Sequence, residues 1–458
     1  MSGGKVKREH FSSRSAAIMA MAGSAIGLGN IWRFPYMVGE HGGAAFVLIY
    51  VAATLLVSLP VFIAEISVGR RSRCNSYSAM STLDPGPQIW KAAGLLSILI
   101  PILIDSYYSV IGGWSLEYLF MSVAGEFIRT EPDAVGGIFG SFISSPWLPV
   151  GMHLLFLTVC ALIVSRGVKT GIEKFSKISI PALFVMILAI IVYNIFIPGS
   201  GEGFRYLFKP DFSQMSLQTF AYALGQSFYS LSLGMGAIIT YGSYIHRKEN
   251  LVVSAAGTAI SDLSFAILAG MAIMPAVFAA GIEPGAGPGL IFQTLPFVFS
   301  RIGVDAPIIS TLLSTVFFLS VVVAAMTSCI SLLEVGAGFL SERFGFSRRK
   351  SVTVTFIICG VLGIVCSLSF GPLAGIQIGG KCIFDMLDWL CSNVLLLVLA
   401  FITVVFVGFV MSKDDVRDEV TNNGEKTANV KLFPVIYFLI KWVAPIAIAA
   451  IFITNFIL

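Results

Sequence analysis

Charge is scarce in this sequence. Of 458 residues only 12% are Asp, Glu, Lys or Arg, against 56% hydrophobic, whereas about a quarter of the residues of an ordinary soluble domain are charged. A soluble globular domain is therefore excluded. Histidine is scarcer still: His10, His41, His153 and His246 are scattered near expected span ends and in no ligand spacing. That leaves an intramembrane enzyme without a base or a metal centre. No Walker A run occurs, which disfavours direct ATP drive, and Gly27-x-Gly29 lacks both the third glycine and the preceding strand of a dinucleotide fingerprint. The seven cysteines are odd in number and none faces another in an outer loop, so no structural disulfide is expected there. The absence of any Asn-x-Ser/Thr sequon, with short tails, points to a bacterial inner membrane.

What is abundant is apolar sequence in runs of roughly 18 to 25 residues, the length that crosses about 30 Å of hydrocarbon. Backbone in lipid must satisfy itself, so these runs are helices. Eleven spans are expected: 15–38, 44–70, 92–124, 148–165, 174–197, 217–246, 250–281, 305–341, 351–370, 383–411 and 432–457. The organisation follows as an N-terminal segment 1–14, a membrane-spanning core 15–411, a charged cytoplasmic linker 412–431 and an eleventh span in 432–458. With the N-terminus inside, 22 of the 29 Lys and Arg residues fall on inner segments and five on outer loops. This bias predicts a cytoplasmic N-terminus. The net charge of +4 is thus an orientation signal and not the footprint of a nucleic-acid partner.

Two spans carry Gly-x-Gly at mid-membrane beside polar residues, Gly27-Leu-Gly-Asn30 in span 1 and Ser232-Leu-Gly-Met-Gly236 in span 6. Glycine costs about 1 kcal/mol relative to alanine inside a helix, so both stretches are expected to unwind, although glycines that merely let helices pack closely have the same composition. The breaks lie five spans apart, an odd offset that inverts one half against the other and predicts a 5+5 inverted repeat, with span 11 outside it. A broken helix exposes amide donors and carbonyl acceptors that suit an anion and a cation, and so a zwitterion. The expected donors to a carboxylate are the Leu28 and Gly29 amides. Span 6 carbonyls near Tyr229 and Ser232 would meet an ammonium group.

Hard oxygen donors for sodium lie close to the breaks, with no thiolate or imidazole cluster. Asn30, Ser230, Thr327 and Ser328 bring side-chain oxygens, and Asp262 brings a mid-span carboxylate, which costs about 2.5–3.5 kcal/mol to insert and marks a functional position.

The runs Gly27-Leu-Gly-Asn-Ile-Trp-Arg-Phe-Pro-Tyr36, Gly42-Gly-Ala-Ala-Phe46 and Leu231-Ser-Leu-Gly-Met-Gly-Ala-Ile-Ile-Thr-Tyr241 closely resemble the neurotransmitter:sodium symporters. Among these the chain is most similar to the bacterial eleven-span hydrophobic amino-acid transporters. The resemblance implies an all-α inverted-repeat fold and two sodium sites. The first would use Ala25, Asn30, Ser230 and Asp262 with the substrate carboxylate, and the second Gly23, Ile26, Ala324, Thr327 and Ser328. Ligation of the first ion by the substrate couples the two. The implied substrate site comprises Ser24, Ala25, Leu28, Gly29, Ile104, Tyr108, Phe228, Tyr229, Ser230, Ser232, Met235, Ser328 and Leu332. Tyr108 would donate to the carboxylate and stack with Tyr229 as an outer lid. Arg33 with Asp388 resembles the outer gate, and Arg8 with Tyr244 and Glu342 the inner one.

Chloride-dependent members carry a neutral residue where this chain has Asp262. Two sodium ions and a zwitterion bring two positive charges into a low-dielectric site, which a fixed carboxylate lowers to one, so no chloride requirement is expected. Ser24 stands where amine transporters place an aspartate, favouring substrates with their own carboxylate. Met235 adapts to varied shapes, and large neutral amino acids, aromatic ones included, are expected. No obligatory protein partner is implied beyond substrate, sodium and bilayer. An ion channel and a proton-coupled amino-acid transporter are the alternatives. Asp105, one turn before Tyr108, has no role in the resemblance, while Glu65 and Glu334 are expected to be supporting hydrogen-bonding groups.

Overall fold

A computed structural model describes residues 9–281 and 290–457. Among these residues nine helices are long and apolar enough to cross a membrane, and a tenth crossing is made by Arg14–Ala25 with Gly29–Glu40, bent against each other by 53°. Span 6 escapes any test of helix length because it is divided into Leu217–Ser230 and Ala237–Gly242 by the irregular residues 231–236. Both expected breaks are therefore present. The uninterrupted spans agree with the hydropathy reading within a few residues, as in Leu148–Ser165 and Ile383–Val410. The only strands among the described residues, Gln377–Ile378 and Lys381–Cys382, form a two-stranded antiparallel hairpin in the loop between spans 9 and 10.

Spans 3 and 8, Ile89–Ala124 and Pro307–Phe344, pack along each other as the central pair. Small and hydroxylated residues let backbones approach closely here. The first half of span 1, Arg14–Ala25, lies against span 8 and against span 7, Leu251–Ala279. This arrangement holds both breaks beside the residues that reach them from spans 2, 3, 7 and 8.

The charged segment 412–431 differs from the bare linker expected of it. Lys413–Thr421 is a helix capped by the Ser412 hydroxyl, with Val416, Glu419, Val420 and Thr421 buried. Its anchor is Arg70 at the C-terminal end of span 2, only 2% exposed, whose Nε donates to Glu419 Oε2 at 2.6 Å and whose Nη1 donates to the Glu249 carbonyl at 2.8 Å. Arg71 pairs with Asp415 beside it. A buried guanidinium needs paired acceptors, and composition alone did not show that this segment supplies them.

Candidate functional site

Helix Arg14–Ala25 ends when Ile26 turns to an extended conformation, its amide still bonded to the Ala22 carbonyl. Gly27 is required here because a Cβ would stand 2.2 Å from Ser328 Oγ and 2.7 Å from the Tyr108 hydroxyl. The freed Leu28 amide donates to Tyr108 Oη at 3.0 Å, and the Gly27 amide donates to Asn30 Oδ1 at 3.1 Å. Freed carbonyls are met by hydroxyls: Ser24 O accepts from Ser232 Oγ at 2.8 Å and Ser328 Oγ at 3.1 Å, and Ile26 O accepts from Thr327 Oγ1 at 3.1 Å. The span 6 break is more contorted. Ser232 has φ 55°, and Gly234 and Gly236 have φ 71° and 72°. A Cβ on Gly234 would lie 2.0 Å from the Leu396 carbonyl oxygen, so both close approach and left-handed backbone demand glycine. Its amide is held by Glu65 Oε1 at 2.7 Å.

Between the breaks lies a cavity lined by Ser24, Ala25, Gly27, Gly29, Ile104, Tyr108, Tyr229, Ser232, Met235, Ser328, Ser331 and Leu332. Its lining mixes the hydroxyls of Ser24, Tyr108, Tyr229, Ser232, Ser328 and Ser331 with the apolar side chains of Ile104, Met235 and Leu332. Of the expected substrate residues, Phe228 stays out of the wall, buried at 1% exposure. Leu28 contributes its amide and not its side chain, and Ser230 faces the acidic cluster described next. Tyr108 and Tyr229 share the cavity without stacking. The Tyr108 hydroxyl is tied to span 1, and the Tyr229 ring lies under the Arg33 guanidinium at 4.8 Å.

Asn30, Ser230 and Asp262 converge in a buried knot. Asn30 Nδ2 donates to Asp262 Oδ1 at 2.8 Å, and Ser230 Oγ lies 2.8 Å from both carboxylate oxygens. The Tyr50 hydroxyl, missed in the sequence, joins at 3.2 Å from Ser230 Oγ and 3.4 Å from Asp262 Oδ2. Gln226, one turn before Ser230, donates to the Gly29 carbonyl at 2.8 Å and was also missed. Its spacing from Ser230 was the available signal. Thr327 Oγ1 bridges Ile26 O and, at 2.8 Å, Ala324 O, with Gly23 close enough that its Cβ would touch Thr327 Cβ at 3.6 Å. The second cluster is built from hydroxyl and carbonyl oxygens, and the first from the Asp262 carboxylate and the Ser230 and Tyr50 hydroxyls, with the Asn30 amide nitrogen donating into it. Among the described residues no group of three His, Cys, Asp or Glu side chains could hold a metal, so the donor chemistry fits an alkali cation and not a transition metal.

Of the expected gates, Arg33 is engaged by the Tyr229 ring, and no ion pair joins it to Asp388, which accepts from Ser392 Oγ at 3.1 Å. Of the residues expected at the inner gate, the Tyr244 hydroxyl donates to Glu334 Oε1 at 2.7 Å, where Arg348 Nη1 also donates at 3.0 Å, and Glu342 Oε2 accepts from Asn75 N at 3.0 Å. Arg8 lies outside the described residues. Asp105 is fully buried, with neither oxygen hydrogen bonded, and the thiols of Cys329 and Cys359 face it.

Comparison with known proteins places this geometry. The model of the sodium:neurotransmitter symporter family matches residues 8–131 and 144–458. An uncharacterized sodium-dependent transporter of Haemophilus influenzae is 36% identical, with 98% of each chain covered. A second, of Bacillus subtilis, is 33% identical over 97% of each. The crystal structure of MhsT in complex with L-phenylalanine superposes with a TM-score of 0.89 at 38% identity, covering 98% of this chain and 100% of that one. Two broken helices, polar clusters beside both breaks and matches along nearly the whole chain agree, and the protein belongs to the sodium:neurotransmitter symporter family, as a multi-pass, sodium-dependent transporter with the fold of MhsT.

Proposed function

We propose that the protein takes up large hydrophobic and aromatic L-amino acids with two sodium ions, by alternating access and without chloride, across a bacterial inner membrane with its N-terminus cytoplasmic. The observation that carries this reading is the cavity between the two breaks, which combines freed backbone and hydroxyl groups with the apolar side chains of Ile104, Met235 and Leu332. The substrate carboxylate takes the place the Tyr108 hydroxyl holds against the Leu28 amide, and the ammonium group meets the carbonyls around Ser232. The phenylalanine in the related MhsT complex supports a substrate of this size.

The first sodium ion sits among the Ala25 carbonyl, Asn30, Ser230, Asp262 and the substrate carboxylate, with Tyr50 orienting the acid. The second sits among Gly23, Ile26, Ala324, Thr327 and Ser328 and clamps span 1 to span 8. Both ions are cargo, and their gradient drives uptake. Because Asp262 is a fixed counter-charge inside the barrier, no exchangeable anion is needed. Arg33 and Asp388 close over the outer side, and Arg8, Tyr244 and Glu342 over the inner side. Arg33 swings from the Tyr229 ring to reach Asp388.

Uptake of radiolabelled phenylalanine, leucine and glycine into proteoliposomes, with sodium, proton and chloride gradients imposed one at a time, tests the proposal. Accumulation of the large substrates driven by sodium alone is expected. Uptake that needs chloride, follows a proton gradient or prefers glycine would overturn it.

A further inference from the structure

Two lysines share an aromatic pocket on the outside of the bundle that neither the amino acid nor sodium uses. It is lined by Lys413, Phe433, Tyr437, Phe438, Lys441 and Trp442, together with Pro434, where spans 10 and 11 meet the helix Lys413–Thr421. Lys441 belongs to the apolar helix Thr427–Asn455, in which an ammonium is costly and therefore tends to mark a site. Its Nζ lies 4.8 Å from the centre of the Phe409 ring, 5.6 Å from that of Tyr437 and 5.9 Å from that of Trp442. Lys413 Nζ lies 5.9 Å from the same Tyr437 ring. Two ammonium groups thus converge on one tyrosine.

Among the described residues no carboxylate lies within ion-pair distance of either lysine; the neighbouring Asp415 and Glu419 are taken by Arg71 and Arg70. Lys413 is exposed and Lys441 half-buried, and aromatic faces give each cation a weak attraction, so the pocket presents two positive charges with no anion in contact.

The depth of the pocket identifies that anion. A Cβ on Gly408 would lie 3.0 Å from Lys441 Cα, which sets Lys441 level with the last turn of span 10, a helix that stops at Val410. Helical side chains lean toward the N-terminus of their own helix, and Lys441 accordingly leans onto Tyr437, which brings its ammonium group toward the end of span 10. Beside it Phe409, Phe438 and Trp442 are 49%, 56% and 50% exposed on the outer surface of the bundle, with Phe409 and Trp442 packed edge to face. A water-soluble anion has no use for that apolar wall, whereas a lipid does.

We propose that this pocket binds the phosphate of an anionic phospholipid, with Lys413 and Lys441 on the headgroup and the acyl chains along Phe409, Phe438 and Trp442. Basic pockets between transmembrane helices hold such headgroups elsewhere. The assignment of the leaflet as cytoplasmic rests on the orientation proposed above; the binding itself does not.

Native mass spectrometry of the full chain, delipidated and returned to mixed nanodiscs of phosphatidylglycerol and phosphatidylcholine, tests the proposal. The wild-type protein should retain phosphatidylglycerol over phosphatidylcholine by on the order of thirtyfold, the factor two lysines supply near an anionic headgroup. K413Q/K441Q should bring the ratio near parity, K413R/K441R should keep it, and K426Q/K431Q, outside the pocket, should leave it unchanged. Excess inorganic phosphate should not displace the lipid. Parity in the wild-type protein, an unchanged ratio in K413Q/K441Q, or displacement by phosphate would each overturn the proposal. Should the double glutamine variant not fold, K413Q alone and the wild-type phosphate competition still decide. No ion gradient is present, so a negative result here leaves the transport reading untouched.

Discussion

The Leu28 amide donates to the Tyr108 hydroxyl across 3.0 Å, joining span 1 to span 3 at the head of the cavity. A broken helix thereby keeps its freed donor satisfied by a group that can turn and become a donor itself when a carboxylate arrives. A hydrogen bond to a charged group contributes about 1.5–3 kcal/mol. Tyr108→Phe should therefore raise the phenylalanine Kd at least tenfold, measured by scintillation proximity at saturating sodium. An unchanged Kd would remove Tyr108 from the carboxylate site.

Asp262 is the one fixed negative charge in the proposed first sodium site, held by Asn30 and Ser230. Asp262→Ser should leave uptake weak in chloride-free buffer and restore it in part when chloride is added, because an external anion then replaces the lost charge. Equal uptake of this variant with and without chloride would separate Asp262 from charge compensation.

Gly27 has no room for a methyl group, with Ser328 Oγ and the Tyr108 hydroxyl both inside 3 Å of the Cβ position. Overpacking costs about 1–3 kcal/mol, and here the atoms displaced are those of the site. Gly27→Ala should lower substrate affinity by ten times or more. Gly86→Ala, where no atom lies within 4 Å, should behave as wild type, and equal behaviour of the two would count against the close approach.

Thr327 Oγ1 bridges the carbonyls of Ile26 and Ala324. Thr327→Val keeps the shape and removes the oxygen, a loss of about 1 kcal/mol. The sodium concentration giving half-maximal substrate binding should rise roughly fivefold, with binding at saturating sodium preserved. No shift in that titration would take Thr327 out of the ion path.

Arg70 and Glu419 form a buried pair with side chains 2% and 9% exposed. Removing one partner of such a pair costs about 3–5 kcal/mol because the other charge is left uncompensated. Glu419→Ala should lower the thermal unfolding midpoint of the detergent-purified protein by several degrees, while Lys426→Ala at the end of the same segment should not. A midpoint unmoved by Glu419→Ala would show that the helix Lys413–Thr421 is not anchored through this pair.

Sequence alone determined the membrane class, the spans and both breaks, since hydrocarbon thickness fixes helix length and unpaired mid-bilayer backbone is tolerated only at a lined cavity. It also pointed to Asn30, Ser230 and Asp262, because polar atoms beside a break stand out against an apolar background. Only the tertiary structure decided which side chains reach those residues from elsewhere. Tyr50 and Gln226 look like ordinary span residues until packing sets them against Asp262 and Gly29, and Phe228, beside Tyr229 in sequence, is buried outside the cavity lining. The same holds for segment 412–431, whose charges read as solvated linker because composition has no knowledge of the buried Arg70 waiting across the bundle. Partners hundreds of residues apart leave no periodicity in the chain, and their distances exist only once the helices have packed.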